Sequence, residues 1–371
     1  MSSLARRLAN RRVVICAGAG GVGKTTVSAA VALGLAARGR RVAVVTIDPA
    51  RRLAEALGLD ELGNEPRLVD PGRFEAAGVH MHGELWAMML DARRTFDELI
   101  AQLSPNATTR DEILVNPVYR HLSTAVAGSQ EYTAIAKLFE LDRKGEYDAI
   151  VLDTPPSRNA LDFLDAPARL SAFLEGRAFS LLMRPTAGAT RAASVVLAAL
   201  GRVIGVGMLN DLAAFFRLLS ALSGGLRARA AGVQALLTDR AVAFLVISSP
   251  ERGAVEEAAF FADQLAAAGM HRCGMIVNRV HPRESATVDV AEITARLQAT
   301  LGVGLAGRVA QTHAEVQLLA RRDALAVDRL RRALREPDPV CLAEREHEVR
   351  SIEGLVELSA ELFGRQRARA T

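Results

Sequence analysis

A doubly wound α/β fold on a mostly parallel sheet follows from three features of the sequence. Short apolar runs recur between helical stretches, polar residues close several of those runs, and a glycine-rich turn separates the first run from a helix. The runs are 13–17 (VVICA), 42–47 (VAVVTI), 85–90 (LWAMML), 149–152 (AIVL), 242–247 (VAFLVI) and 274–277 (GMIV). Continuous apolar runs of this length, rather than alternating ones, belong to strands buried on both faces of a parallel sheet. Asp48, Asp91, Asp153, Ser248 and Asn278 follow or close the runs, which places them at the carboxyl edge, where open α/β sheets bind ligands.

Half of the 371 residues are hydrophobic, enough for a full α/β core. The expectation is a single domain over 1–371, with helical segments 99–137 and 158–240 as an inserted subdomain, because strand signals vanish there. The formal net charge is +4. Arginine pairs such as Arg51/Arg52 and Arg321/Arg322 are scattered among acids, which reads as a solvated surface, and no nucleic-acid partner is expected. Cys16, Cys273 and Cys341 lie far apart and form no CxxC pair, fitting a reducing compartment and arguing against a thiolate zinc site. The N-terminal MSSLARRLANRRVVICAGAG resembles a secretory signal superficially, but cleavage there would destroy the glycine-rich turn. The longest apolar stretch, 194–209, is interrupted by Arg202 and too short to span a bilayer. A cytoplasmic protein is expected, peripheral to the membrane through a partner.

The turn carries the sharpest chemistry. Gly18, Ala19, Gly20, Gly21, Val22, Gly23, Lys24, Thr25 and Thr26 spell GxxxxGK[ST] between a strand and a helix. Glycines let successive backbone N–H groups turn toward phosphate oxygens, and the helix N-terminus adds partial positive charge. Lys24 would bridge phosphate oxygens, and the Thr25 hydroxyl would ligate Mg²⁺. The chain holds only three lysines, Lys24, Lys137 and Lys144, and one stands where a compact ammonium is needed. ATP and Mg²⁺ are the expected ligands.

Two carboxylates complete the expected site. Asp153 ends an apolar strand in the position of an acid that holds Mg²⁺ directly or through water. Asp48 ends another and opens Asp48-Pro49-Ala50, a turn able to orient the attacking water, and with Thr25 and Asp153 it is the third expected residue at the metal. Either alone could simply be a strand-end aspartate capping a helix.

These segments resemble the ArsA family, deviant-Walker ATPases that include the arsenite-pump ATPase and the guided-entry targeting factor for tail-anchored membrane proteins. The resemblance rests on the glycine-rich turn, TIDPARRL (46–53), AMMLDARRTFDEL (87–99), DTPPSRNALDFLDAP (153–167), VNR (277–279) and EVRSIEGLVELSAELF (348–363). It implies that Asp48 activates water and that Asp153-Thr154 opens the segment sensing the γ-phosphate. It also implies that Asn278 reads adenine and that Pro339, Val340 and Cys341 belong to a loop over the base. Two protomers closing face to face on ATP, and a hydrophobic client, are further implications.

Three departures qualify the resemblance. The lysine that reaches across the family's dimer is Ala19 here, so Arg51 or Arg52, or a paralogous subunit, would have to supply the charge. The dimer-clamping CxxC of the targeting factor is missing. The chain has one phosphate loop where the pump has two. Leu212, Phe215, Phe216, Leu219 and Leu222, widened by Leu218, form one helical face, readable as core or as a client groove with 195–209. An arsenite site needs converging thiolates, which the cysteine spacing disfavours. His80 and His82 show no third ligand, and Glu131 fits either a nucleotide-sensitive loop or a helix start.

Overall fold

The computed structural model describes residues 2–48, 51–120, 129–154, 206–283 and 289–364. Eight strands form one sheet: β1 Val13–Ala17, β2 Arg41–Thr46, β3 Arg67–Leu68, β4 Glu84–Met89, β5 Ala149–Asp153, β6 Val242–Ser248, β7 Arg272–Val280 and β8 Val340–Ala343. Their order is β3-β4-β2-β5-β1-β6-β7-β8. Every pairing is parallel except β3 with β4. The six expected strands are present within a residue or a few of the expected bounds, and β3 and β8 are additional edge strands.

Burial on both faces explains the apolar runs. Along β1, Val14 and Cys16 join one core layer, whereas Val13, Ile15 and Ala17 join the other, as the two-residue strand period requires. The first layer is built by α1 (Ser3–Leu8), α2 (Lys24–Ala36), α3 (Arg52–Ala56), α4 (Pro71–Ala76) and, near the C-terminus, the helix Ile352–Phe363. Helix α2 is buried almost all round. A methyl group on its Gly34 would run into the Phe363 ring, so glycine permits that close helix crossing.

The helical region follows as α5 (Ala92–Leu103), α6 (Ala107–Val115), α7 (Ser129–Lys144) and α8 (Val206–Thr238). Asp91 caps α5 by accepting from the Arg94 N–H at 2.9 Å, so this strand-end aspartate is structural. Glu131 lies in the first turn of α7. Of 99–137, residues 99–103, 107–115, 117–120 and 129–137 are helical, and of 158–240 the part from 206 onward is described.

A third apolar cluster, separate from the sheet layers, joins Leu99, Ile113, Tyr119, Phe215, Phe216 and Leu222. The stripe on α8 is thus core, because α5 and α6 cover it. Farther along the same helix, Val233, Leu236 and Leu237 enter the second sheet layer, so α8 anchors the helical region to the sheet. The 155–205 segment, including most of the 194–209 stretch, lies outside the described residues. Among the described residues no helix is long and apolar enough to cross a membrane.

The remaining helices are α9 (Arg252–Ala267), α10 (Val290–Leu301), α11 (Val303–Ala333) and α12 (Ile352–Phe363). Asp323 on α11 is fully buried and accepts from the His281 backbone N–H at 3.0 Å, with the His281 ring Nδ1 at 2.7 Å. That clasp fixes α11 to the end of β7.

Candidate functional site

The turn after β1 folds into a cradle, and two glycines show why the sequence needs them. A Cβ on Gly18 would collide with the Ile247 carbonyl of the neighbouring strand β6. Gly23 has φ 88°, the left-handed region that favours glycine, and a Cβ there would lie 2.5 Å from Asn278 Nδ2. Between them, Gly20 and Gly21 are exposed, whereas Ala19 and Val22 are buried.

Lys24 opens α2 and is buried. Its ammonium donates to the Gly18 and Ala19 carbonyls at 2.9 and 2.7 Å, lying across the cradle. Burial holds its pKa below the usual lysine value, partly offset by Asp153. A desolvated, loosely compensated ammonium exchanges favourably onto phosphate oxygens.

Asp153 closes β5 with its side chain fully buried. The Thr25 hydroxyl donates to its Oδ2 at 2.7 Å, and the Thr46 hydroxyl donates to the same oxygen at 2.9 Å. The Asp48 backbone N–H in turn donates to Thr46 Oγ1 at 3.2 Å. One relay therefore joins the phosphate loop, the end of β2 and the end of β5, with Thr46 opposite Asp153 in the strand register. Burial raises the Asp153 carboxyl to about 6, against the pull of the Thr25 and Thr46 hydrogen bonds and Lys24. Its Oδ1 is buried without a hydrogen-bond partner. A buried carboxylate oxygen left unsatisfied beside a threonine hydroxyl is a donor set that suits Mg²⁺.

A cavity of about 600 Å³ opens beside this relay. Gly21, Gly23, Lys24, Thr25, Thr26, Asp48 and Asn278 line it, whereas Gly18, Ala19, Gly20, Val22 and Asp153 do not. Asp48 pairs with Arg52 at 3.6 Å. Asn278 Nδ2 donates to the Val22 carbonyl at 2.9 Å, pinning β7 to the phosphate loop. Thr154 also lines the cavity, and its hydroxyl donates to the Cys16 carbonyl at 2.9 Å.

One expected segment sits beside the cavity rather than on it. Val340 and Cys341 lie in β8, paired in parallel with Ile276 and Val277 of β7, and Pro339 immediately precedes that strand. None of the three lines the cavity. Its outer wall is instead the stretch 343–350, with Arg279 beside it. β-Strand pairing consumes the backbone of 340–343, and the loop begins only where that pairing ends. Sequence reasoning thus did not assign Thr46, Arg279 or the 343–350 wall to the site. The signal for Thr46 was available in its place two residues before Asp48, since strand alternation turns residues at that spacing to the same side.

Other singled-out groups stay apart. Cys16 and Cys273 are buried and Cys341 is exposed; burial pushes the first two thiols up, away from the thiolate form a soft metalloid binds. His80 and His82 meet edge to face at 4.7 Å. Among the described residues, no cluster of three or more His, Cys, Asp or Glu could hold a metal ion.

The family model described as the anion-transporting ATPase matches residues 11–302. An ATPase GET3 of Malassezia globosa is 31% identical over 161 residues, 43% of this chain and 44% of that protein. A protein of Aquifex aeolicus named as an arsenical pump-driving ATPase is 24% identical over 286 residues, 74% of this chain and 64% of that protein. An uncharacterised Streptomyces coelicolor protein is 29% identical over 282 residues, with the same shares. The chain spans less than two thirds of the length of each of these relatives. With a match over most of the chain and a phosphate cradle at the carboxyl edge of the sheet, this protein belongs to the ArsA family of anion-transporting ATPases.

Proposed function

We propose that the chain binds Mg-ATP in this cavity, hydrolyses it to ADP and phosphate, and works as a dimeric switch that carries an apolar client such as a tail-anchored membrane protein. The observation that carries the reading is the convergence of Lys24, Thr25 and Asp48 on one cavity, with Asp153 hydrogen-bonded to the Thr25 hydroxyl behind it. Lys24 and the cradle N–H groups hold the β- and γ-phosphates, and Asn278 with the 343–350 wall forms the base end. Thr25 and Asp153 would hold Mg²⁺, which would supply charge neutralisation at the phosphate oxygens. Asp48 orients the attacking water, and Thr46 holds the start of its loop through the Asp48 N–H.

A second reading, a weakly hydrolytic subunit of a heteromeric complex, is favoured by one observation. Ala19, where the resembling family has its cross-dimer lysine, is buried in the first core layer. In a homodimer the missing charge falls to Arg51 or Arg52, both exposed and the latter on the cavity wall. The relatives named for GET3 and for an arsenical pump support the apolar-client and anion readings respectively. Turnover measured with a soluble apolar helix or with arsenite separates them. Stimulation by the helix alone supports the switch reading, and stimulation by arsenite alone refutes it.

A further inference from the structure

The hairpin of α10 and α11 concentrates features the nucleotide site does not use. Ten large apolar side chains are exposed among the described residues, and six sit on this hairpin: Leu301, Val303, Leu305, Val309, Leu318 and Leu325. Helix α10 has no buried residue. Residues 290–335 also hold eight arginines against four acids. That excess of four equals the formal net charge of the whole chain, so the rest of the protein is charge-balanced.

In the second half of α11 the two features coincide. Leu318, Arg321, Arg322, Leu325, Arg329 and Arg332 recur at i, i+3, i+4, i+7, i+11 and i+14, a single helical face. All six are exposed, Leu318 by 63% and Leu325 by 62%. Of the face's arginines only Arg322 has an acid partner among the described residues, which leaves Arg321, Arg329 and Arg332 to carry its charge. Asp323 is buried beneath it, taking Arg322 at 2.9 Å and His281, and Asp328 pairs with Arg331 at 3.2 Å.

We propose that this face docks directly on an anionic phospholipid surface. A solvated cationic face gains nothing from leucines at these two positions. A lipid interface uses both features, since leucines enter the acyl boundary while guanidinium groups take headgroup phosphates. Arginine suits this better than lysine through its forked donors and weaker hydration. The face is an open helix surface, which fits a planar partner. This contact is independent of hydrolysis, and none of its residues lines the nucleotide cavity.

The test is co-sedimentation of the full chain with vesicles of phosphatidylcholine containing about 30 mol% phosphatidylserine, against pure phosphatidylcholine. The partition coefficient is expected to be at least about tenfold higher on the anionic vesicles, given about 1 kcal/mol per arginine near such a surface. The triple variant R321E/R329E/R332E is expected to lose that preference, and L318S/L325S to bind several-fold more weakly. Both are exposed changes, so a circular-dichroism melt like the parent's and unchanged ATP turnover are expected. Leu325→Trp supplies a second readout, a blue shift of emission on anionic vesicles over the Trp86 background. Equal sedimentation on both vesicle types, or by the parent and the triple variant, overturns the proposal. So does capture of polyglutamate or a DNA duplex by this face without vesicle binding.

Discussion

Replacing Asp153 by Asn should make the metal-free protein more stable, and increasingly so as the pH rises. The Asp153 carboxyl is fully buried and sits at about 6 rather than the ordinary 3.8. Between those values the folded chain keeps a proton that the unfolded chain has lost. Stability from this group is therefore fully present below the lower value and falls as pH rises through about 6. A shift of about two units corresponds to about 3 kcal/mol in full, of which about 1.4 kcal/mol develops between pH 5 and pH 8. Asparagine cannot ionise, yet its amide oxygen still accepts from Thr25 and Thr46, and any cost of its amide group is the same at both pH values. Urea unfolding of both proteins in EDTA, at pH 5 and pH 8, measures the difference directly. The advantage of Asp153→Asn should grow by about 1.4 kcal/mol between them. An advantage unchanged or shrinking with pH would refute the claim that burial holds this carboxyl up for a cation.

Other expected outcomes follow the same geometry. Gly18→Ala should cost at least about 2 kcal/mol in thermal or urea unfolding, since the new methyl drives β1 from the Ile247 carbonyl of β6. Thr46→Val removes a hydroxyl that links Asp48 to Asp153. Turnover should fall at least about tenfold while ATP affinity, read by equilibrium binding, changes little. Lys24→Ala should do the opposite in binding, weakening ATP at least about tenfold by loss of a charge-assisted contact. Leu222→Ala should cost about 2–5 kcal/mol in unfolding, because the α8 stripe is core.

Much of this was legible in residue pattern alone. β1, β2, β5 and β6 announce themselves because both faces are buried, so their sequences are uninterrupted apolar runs. β3 is two exposed residues, Arg67 and Leu68, too short to carry any period. β8 follows Pro339 at the sheet edge and buries only Leu342, so it reads as loop until its pairing with β7 is seen. The cradle was legible because glycine, lysine and threonine are each required at fixed spacing. The outer wall, AEREHEVR at 343–350, was not, because charged residues facing a polar cavity look like any solvated turn. The apolar stripe on α8 left both core and groove open, with core favoured, since periodicity reports a buried face without saying what buries it.

The proposed hydrolysis requires Asp48, Lys24 and the Thr25–Asp153 pair to act as one centre. Steady-state ATP turnover per chain, measured with Mg²⁺ against protein concentration and with Asp48→Asn as the blank, tests it most directly. Turnover is expected to rise with concentration as protomers pair and to disappear in Asp48→Asn, while the variant still binds ATP. Turnover in Asp48→Asn equal to the parent's would contradict it.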